Sequence, residues 1–128
     1  MQKRSQLKDL YPGWYDLSTG GVVGADEDDD VNAVREVEEE LGIPDAKLEK
    51  VKVMKWEDPK GRVFANVYLF RDFDPDKQEL KLQVEEVEEV LFWSIDDIQA
   101  KLAEGAEKHM IKPGSAHIFQ DLVQNKCF

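Results

Sequence analysis

The chain has 128 residues, of which 35% are charged and 41% hydrophobic, and its formal net charge is −11. That length fits one domain around one core, and that balance suits a folded chain rather than a disordered one. The acidity argues against an extended nucleic-acid footprint or an anionic-membrane surface, both of which need a basic patch.

The start, "MQKRSQLKDL", has charges but no apolar segment behind them, so it does not read as a secretory signal. Residues 1–13 carry turn signals, with Pro12-Gly13 before Trp14. Residues 14–24, "WYDLSTGGVVG", read as a short extended piece closing in glycines. A helix is predicted over 29–41. Asp28, Asp29 or Asp30 can cap its start, Gly42 follows its end, and Pro44 lies just beyond. At about 100° per residue, Val34, Val37 and Leu41 share one side, and Glu36, Glu39 and Glu40 fall within an arc of roughly 100° on the other.

Strand patterns follow at 50–56, 62–70, 79–84 and 87–93, with the turn "DPKG" between the first two. Ser94 is positioned to cap a helix over 95–104, with Asp97 completing a partial capping box. A last helix is predicted over 115–125, with Ile118, Phe119, Leu122 and Val123 as its buried stripe. This order of helix, strands and helices predicts an α/β or α+β layered domain over 1–128. The single cysteine, Cys127, permits no disulfide framework within the chain. No apolar run approaches membrane-span length. A reducing, cytoplasmic location without a membrane partner is the expectation.

Residues 20–43 hold nine acidic side chains and one basic one. Like charges three and four apart on a helix, as at Glu36, Glu39 and Glu40, each cost about 0.2–0.5 kcal/mol. A solvated face explains Glu38 and Asp28–Asp30. It does not explain the glycines before the helix or the arginine among the acids. A calcium loop starting at Asp28 would place Ala33 where its sharp turn needs glycine, and the apolar phase of 31–41 demands continuous helix. A magnesium site for a phosphorylated substrate fits better. Mg²⁺ takes hard oxygen ligands, keeps several waters, and shares carboxylates with substrate phosphates.

Gly21, five residues, Glu27, seven residues, and then "REVEEELGI" (35–43) resembles the complete Nudix box. Every fixed position and both spacers match. The wider resemblance covers roughly residues 2–125, where "QKRSQLKDLYPGWYDLSTGGVV" and "QVEEVEEVLFWSIDDI" look like a Nudix subgroup whose members also resemble isopentenyl-diphosphate isomerases. The resemblance implies a Nudix-type α/β/α sandwich around a mixed sheet. It implies Mg²⁺ or Mn²⁺ held by Glu36, Glu39 and Glu40, with a backbone carbonyl near Gly20–Gly21 as a further ligand. Arg35 and Glu27 are implied to be an orienting pair.

The implied chemistry is attack of water on phosphorus in a small-molecule diphosphate linked to a group X. Glu39, Glu40 or, outside the box, Glu86 are the candidates to take the proton. Arg4 and Lys3 are candidates to reach phosphates, and Trp14, Tyr15, Trp56, Phe64 and Tyr68 are candidate walls for X. His109 and His117 have no metal-like spacing. Two departures matter. Nudix proteins carry more chain ahead of "QKRS", so the match implies a sandwich lacking its first strand or strands, with exposed edges, low stability, dimerisation or lost wall residues. Isomerase chemistry is not supported, because Gly20 stands where the isomerases need cysteine and no histidine precedes residue 109. The alternative to a hydrolase is a catalytically weak or inactive Nudix-fold module that binds a nucleotide or a protein.

Overall fold

The computed structural model describes residues 1–18, 28–58 and 61–128. The predicted helix forms as α1, Asp29–Leu41. Among the three candidate caps, Asp28 is the one used: its carboxylate accepts from the backbone N–H of Asp30 at 2.9 Å and of Val31 at 3.2 Å. Gly42 closes the helix in the left-handed region, at φ 72°, which costs a glycine nothing sterically. Val37 and Leu41 are buried with Ile43 and Ala46, and Leu48, Phe70, Phe73, Leu80, Leu82 and Val90 pack around them. Val34, expected on the same stripe, is half-buried.

The two central strand predictions form one antiparallel hairpin, β1 over Glu49–Asp58 and β2 over Gly61–Leu69. Its register runs from Asp58↔Gly61 back to Glu49↔Leu69, with an irregularity between Lys50 and Lys52. A second antiparallel sheet has three short strands. Gln2–Arg4 lies in the middle, flanked by Tyr15–Asp16 and by Val87–Val90 (here β3), with Gln2 opposite both Asp16 and Val90. The helix over 95–104 forms as α2, Ile95–Glu104, and the Ser94 hydroxyl accepts from the Asp97 N–H at 3.0 Å as the capping pattern predicts. The last helix, α3, spans Pro113–Gln124. It starts two residues earlier than predicted because proline is tolerated at a first helical position.

The hairpin sits between layers. Met54 and Val67 on one of its faces pack against Leu122 and Ile118 of α3. The start of α1 meets the other face at Lys50 and Tyr68. Helices on both sides of β structure are the expected sandwich. The pairing among the described strands is antiparallel throughout, and parallel pairing is confined to an isolated bridge between Tyr15 and Ile111.

Three expectations are corrected. Residues 79–84 do not form a strand, although Leu80 and Leu82 turn inward with the predicted alternation. Their backbone has another use: Lys81 N–H donates to Leu41 O at 2.9 Å and Gln83 N–H to Glu40 O at 3.0 Å. These are carbonyls that a helix end leaves without internal partners. The opening residues, read only as turns, include the Gln2–Arg4 strand. Its three residues are too few to show a period, and its partners lie far along the chain. The strand predicted over 87–93 ends at Val90. Among the described residues, no helix is long and apolar enough to cross a membrane.

Candidate functional site

The acidic face of α1 is real, but its three carboxylates have different surroundings. The side chains of Glu36 and Glu39 are 16% and 49% exposed, whereas Glu40 is buried at 5%. Glu40 lies only about 60° around the helix from Val37, and its backbone carbonyl accepts from the Gln83 N–H at 3.0 Å. Arg35 stands among the acids, with Nη2 at 3.5 Å from Glu36 Oε1 and Nη1 at 3.9 Å from Glu39 Oε1. Gly20, Gly21 and Glu27 lie outside the described residues. Among the described residues, no three His, Cys, Asp or Glu side chains converge as a ready-made cage. The donor set still suits a hard cation such as Mg²⁺, which is commonly held by one or two carboxylates, waters and the substrate's own phosphates.

The structure brings Glu86 toward this helix by way of the backbone. Gln83, bonded to Glu40 O, also accepts from the Glu86 N–H at 2.9 Å and the Val87 N–H at 2.8 Å. The carboxylate of Glu86 pairs with Lys8. Its own carbonyl accepts from Ser5 N–H at 3.0 Å. The turn before β3 is thus fastened both to the end of α1 and to the chain just after the opening strand.

The remaining candidates fall into three groups. Arg4 is engaged internally: its guanidinium donates to Leu10 O at 3.0 and 3.2 Å and to Asp16 Oδ2 at 3.3 Å. Asp16 is a hub that also accepts from Lys112 Nζ at 3.3 Å, the Leu17 N–H and the Ser115 hydroxyl. Lys3 pairs with Glu88 at 2.8 Å. Trp56 is packed in the α3 cluster with its ring 5.1 Å from His117, Tyr15 lies 4.8 Å from Trp93, and Trp14 is half-buried edge-on to Tyr11. Phe64 and Tyr68 are on the hairpin face away from α3. Phe64 is 66% exposed.

Tyr68 ties that face to α1: its hydroxyl donates to Asp30 Oδ1 at 2.7 Å, and Lys50 Nζ lies 3.2 Å from the same oxygen. The hydrogen bond from Tyr68, followed by the one from Lys50, holds the Asp30 carboxyl below its usual range. The bond to Asp30 raises Lys50. Partial burial, together with the carboxylate beside it, pushes the Tyr68 phenol up to about 12. A raised phenol pKa contributes stability that is complete below about pH 10 and is lost as pH climbs through the folded value. Ultraviolet titration should therefore show a late phenolate phase near pH 12 that Tyr68→Phe removes. Its persistence in that variant would refute the assignment.

Sequence reasoning missed Lys50 and Lys55. The "DPKG" turn sets the register, so Lys55 opposite Phe64 was legible from counting outward from Asp58↔Gly61. Lys50 opposite Tyr68 was not, because the irregularity at Val51 shifts the count by one.

Comparison with known proteins adds the following. The model of the NUDIX domain matches residues 1–113. The chain is 39% identical over 92 residues to an uncharacterized Nudix hydrolase, PA4841, of Pseudomonas aeruginosa, covering 72% of this chain and 52% of that protein. It is 36% identical over 104 residues to the uncharacterized Nudix hydrolase YfcD of Escherichia coli, covering 81% of this chain and 56% of YfcD. The chain thus spans about half the length of these curated relatives. The crystal structure of DR0079 from Deinococcus radiodurans superposes with a TM-score of 0.75 at 22% identity, covering 94% of this chain and 71% of that one. That likeness speaks for the fold.

Proposed function

This chain belongs to the Nudix family, and from that premise we propose that it hydrolyses a small organic diphosphate, such as a nucleoside diphosphate linked to another moiety, with Mg²⁺ or Mn²⁺. The observation that carries the proposal is the α1 face, where Glu36, Glu39 and Glu40 lie on one side of a helix capped at both ends and Arg35 stands among them.

Glu36, Glu39 and Glu40 would hold the divalent ion, which when bound neutralises phosphate oxygens and acidifies a water. The chain's own residues do the rest. Glu39 offers the most exposed of the three carboxylates to an arriving ion. Arg35 offsets the mutual repulsion of the acids while the face is empty of cations. The rigid helix keeps the carboxylates in fixed relation, which a loop would not. Proton removal from the attacking water falls to a carboxylate of this group or to Glu86, whose turn is bonded to the end of α1 and whose side chain Lys8 orients. Carboxylates so close titrate together, so the pH profile belongs to the set.

The test is release of phosphate and nucleotide products from a panel of diphosphates with Mg²⁺, with Mn²⁺ and with chelator. Turnover that the chelator abolishes is the expected result. A folded protein that binds the metal and turns over nothing would overturn the proposal and leave a binding module.

A further inference from the structure

A separate cleft lies along α2, and it shares no residue with the acidic face of α1. Successive turns of α2 put Asp97, Ala100, Lys101 and Glu104 on one stripe, at the spacing of helical neighbours. Trp93 stands just ahead of the Ser94 cap, its ring 4.8 Å from that of Tyr15. After Gly105 the chain turns back. The His109 N–H donates to Gly105 O at 3.4 Å, and the His109 ring meets the Glu104 carboxylate. Met110 O accepts from the Tyr15 N–H at 2.8 Å and Ile111 is buried, which fixes that return. Trp93, the α2 stripe and His109 line a cleft of about 500 Å³, within the size range of small-molecule sites.

The pairing of charges in this cleft is uneven. Lys101 follows Asp97 by four residues and precedes Glu104 by three, so either carboxylate is within its reach. Its ammonium lies instead 5.1 Å from the centre of the Trp93 ring. Glu104 is met by His109 and by Lys108, at 3.9 Å, whereas Asp97 makes no ion pair among the described residues. The indole is therefore a cation seat already taken by the chain's own lysine. That occupant can leave at little cost, because Asp97 stands one turn back in the favourable order for a helical ion pair. A primary ammonium is compact and strongly hydrated, so it gains little from a ring. A quaternary ammonium has no N–H to satisfy and spreads its charge over its methyl groups, and aromatic faces recognise it well. The net charge of −11 raises the local concentration of any such cation.

We propose that this cleft binds a small organic cation carrying a quaternary ammonium group, seated on Trp93 with Glu104 as its counter-charge, and that Lys101 is an internal stand-in that yields to it by moving to Asp97. The site is independent of the diphosphate reaction.

The experiment is NMR titration of the intact chain with choline chloride, with sodium chloride at equal ionic strength as the control. The chain has three tryptophans, and the Trp93 indole N–H is the signal that Trp93→Phe removes. Choline should shift that signal saturably and leave those of Trp14 and Trp56 in place, and sodium chloride should move none of them. Lys101→Met keeps the packed stem and removes the competing charge. It should tighten choline binding about two- to fivefold, the scale of one exposed cation–π contact. Glu104→Gln should weaken it. The buried residue of α2 is Ile98, so neither substitution opens the core. A shift that sodium chloride reproduces, or one shared equally by all three indoles, overturns the proposal. So does weaker binding in Lys101→Met, which would make the lysine a ligand contact and the cleft an anion site. Pelleting with phosphatidylcholine vesicles without a response to free choline would assign the headgroup to a membrane and overturn it as well.

Discussion

Glu39→Gln is expected to lower turnover of any diphosphate the protein hydrolyses by about 10²–10⁴-fold, the range for loss of a carboxylate that works in the transition state. The substitution keeps the side chain's shape and its helix propensity, so the loss should come without unfolding. Its stability terms oppose each other. Removing Glu39 relieves like-charge repulsion with Glu36, three residues away, worth about 0.2–0.5 kcal/mol. It also ends the exposed contact with Arg35 at 3.9 Å, worth a similar few tenths, ~0.3–0.5 kcal/mol. Thermal midpoints of the two proteins without metal should therefore nearly coincide. With Mg²⁺ or Mn²⁺ they should separate, because an ion that binds only the folded state stabilises in proportion to its affinity. Equal midpoint shifts in both proteins would mean that Glu39 is not a ligand. Undiminished turnover would remove it from the reaction.

The second large effect is expected at the opposite end of α1. A β-carbon built on Gly42 would stand 2.6 Å from Lys81 Cβ and 2.9 Å from both the N and O of Lys81. Two of those three neighbours are backbone atoms, and Lys81 N–H is the donor that satisfies Leu41 O. Gly42→Ala must also hold an alanine at φ 72°. Left-handed strain of about 1–2 kcal/mol and overpacking of about 1–3 kcal/mol together predict a loss of roughly 3 kcal/mol. Urea denaturation should show a lower midpoint at unchanged slope. Gly61→Ala is the control. Gly61 has φ 132°, outside the left-handed well near 57°, and its added carbon would meet nothing within 4 Å, so it loses through a backbone strain larger than that at Gly42 and through no contact. A loss at Gly42→Ala no larger than the left-handed strain of about 1–2 kcal/mol would mean that the contact with Lys81 contributes nothing. Because the 81–83 segment leads directly into the turn of Glu86, Gly42→Ala should also depress turnover, whereas Gly61→Ala should not.

These predictions rest on unequal kinds of knowledge. Asp28, Gly42 and Pro44 stand within a few residues of the helix ends they define, and capping and termination are short-range physics. That is why α1 was legible to the residue, and why Ser94 and Asp97 marked α2 equally well. The acidic face followed from the same 3.6-residue period. The hairpin strands were visible through alternation and the "DPKG" turn.

What the sequence by itself determined is therefore local: the helices, the paired strands, the carboxylate face and, through the unbroken 21–43 pattern, the Nudix family. Tertiary structure decided everything that depends on a neighbour far along the chain. It turned 79–84 from a would-be strand into a cap for the end of α1, because carbonyls at a helix end seek donors as strongly as a sheet edge does. It set how far each acid is covered, burying Glu40 at 5% and leaving the Glu39 side chain 49% exposed, where helical phase showed only that Glu40 lies nearer to Val37. It committed Arg4 to Leu10 and Asp16, and it joined Asp30, Lys50 and Tyr68 across 38 residues. Periodicity reports which side a residue faces. Only the packed chain determines what stands there to meet it.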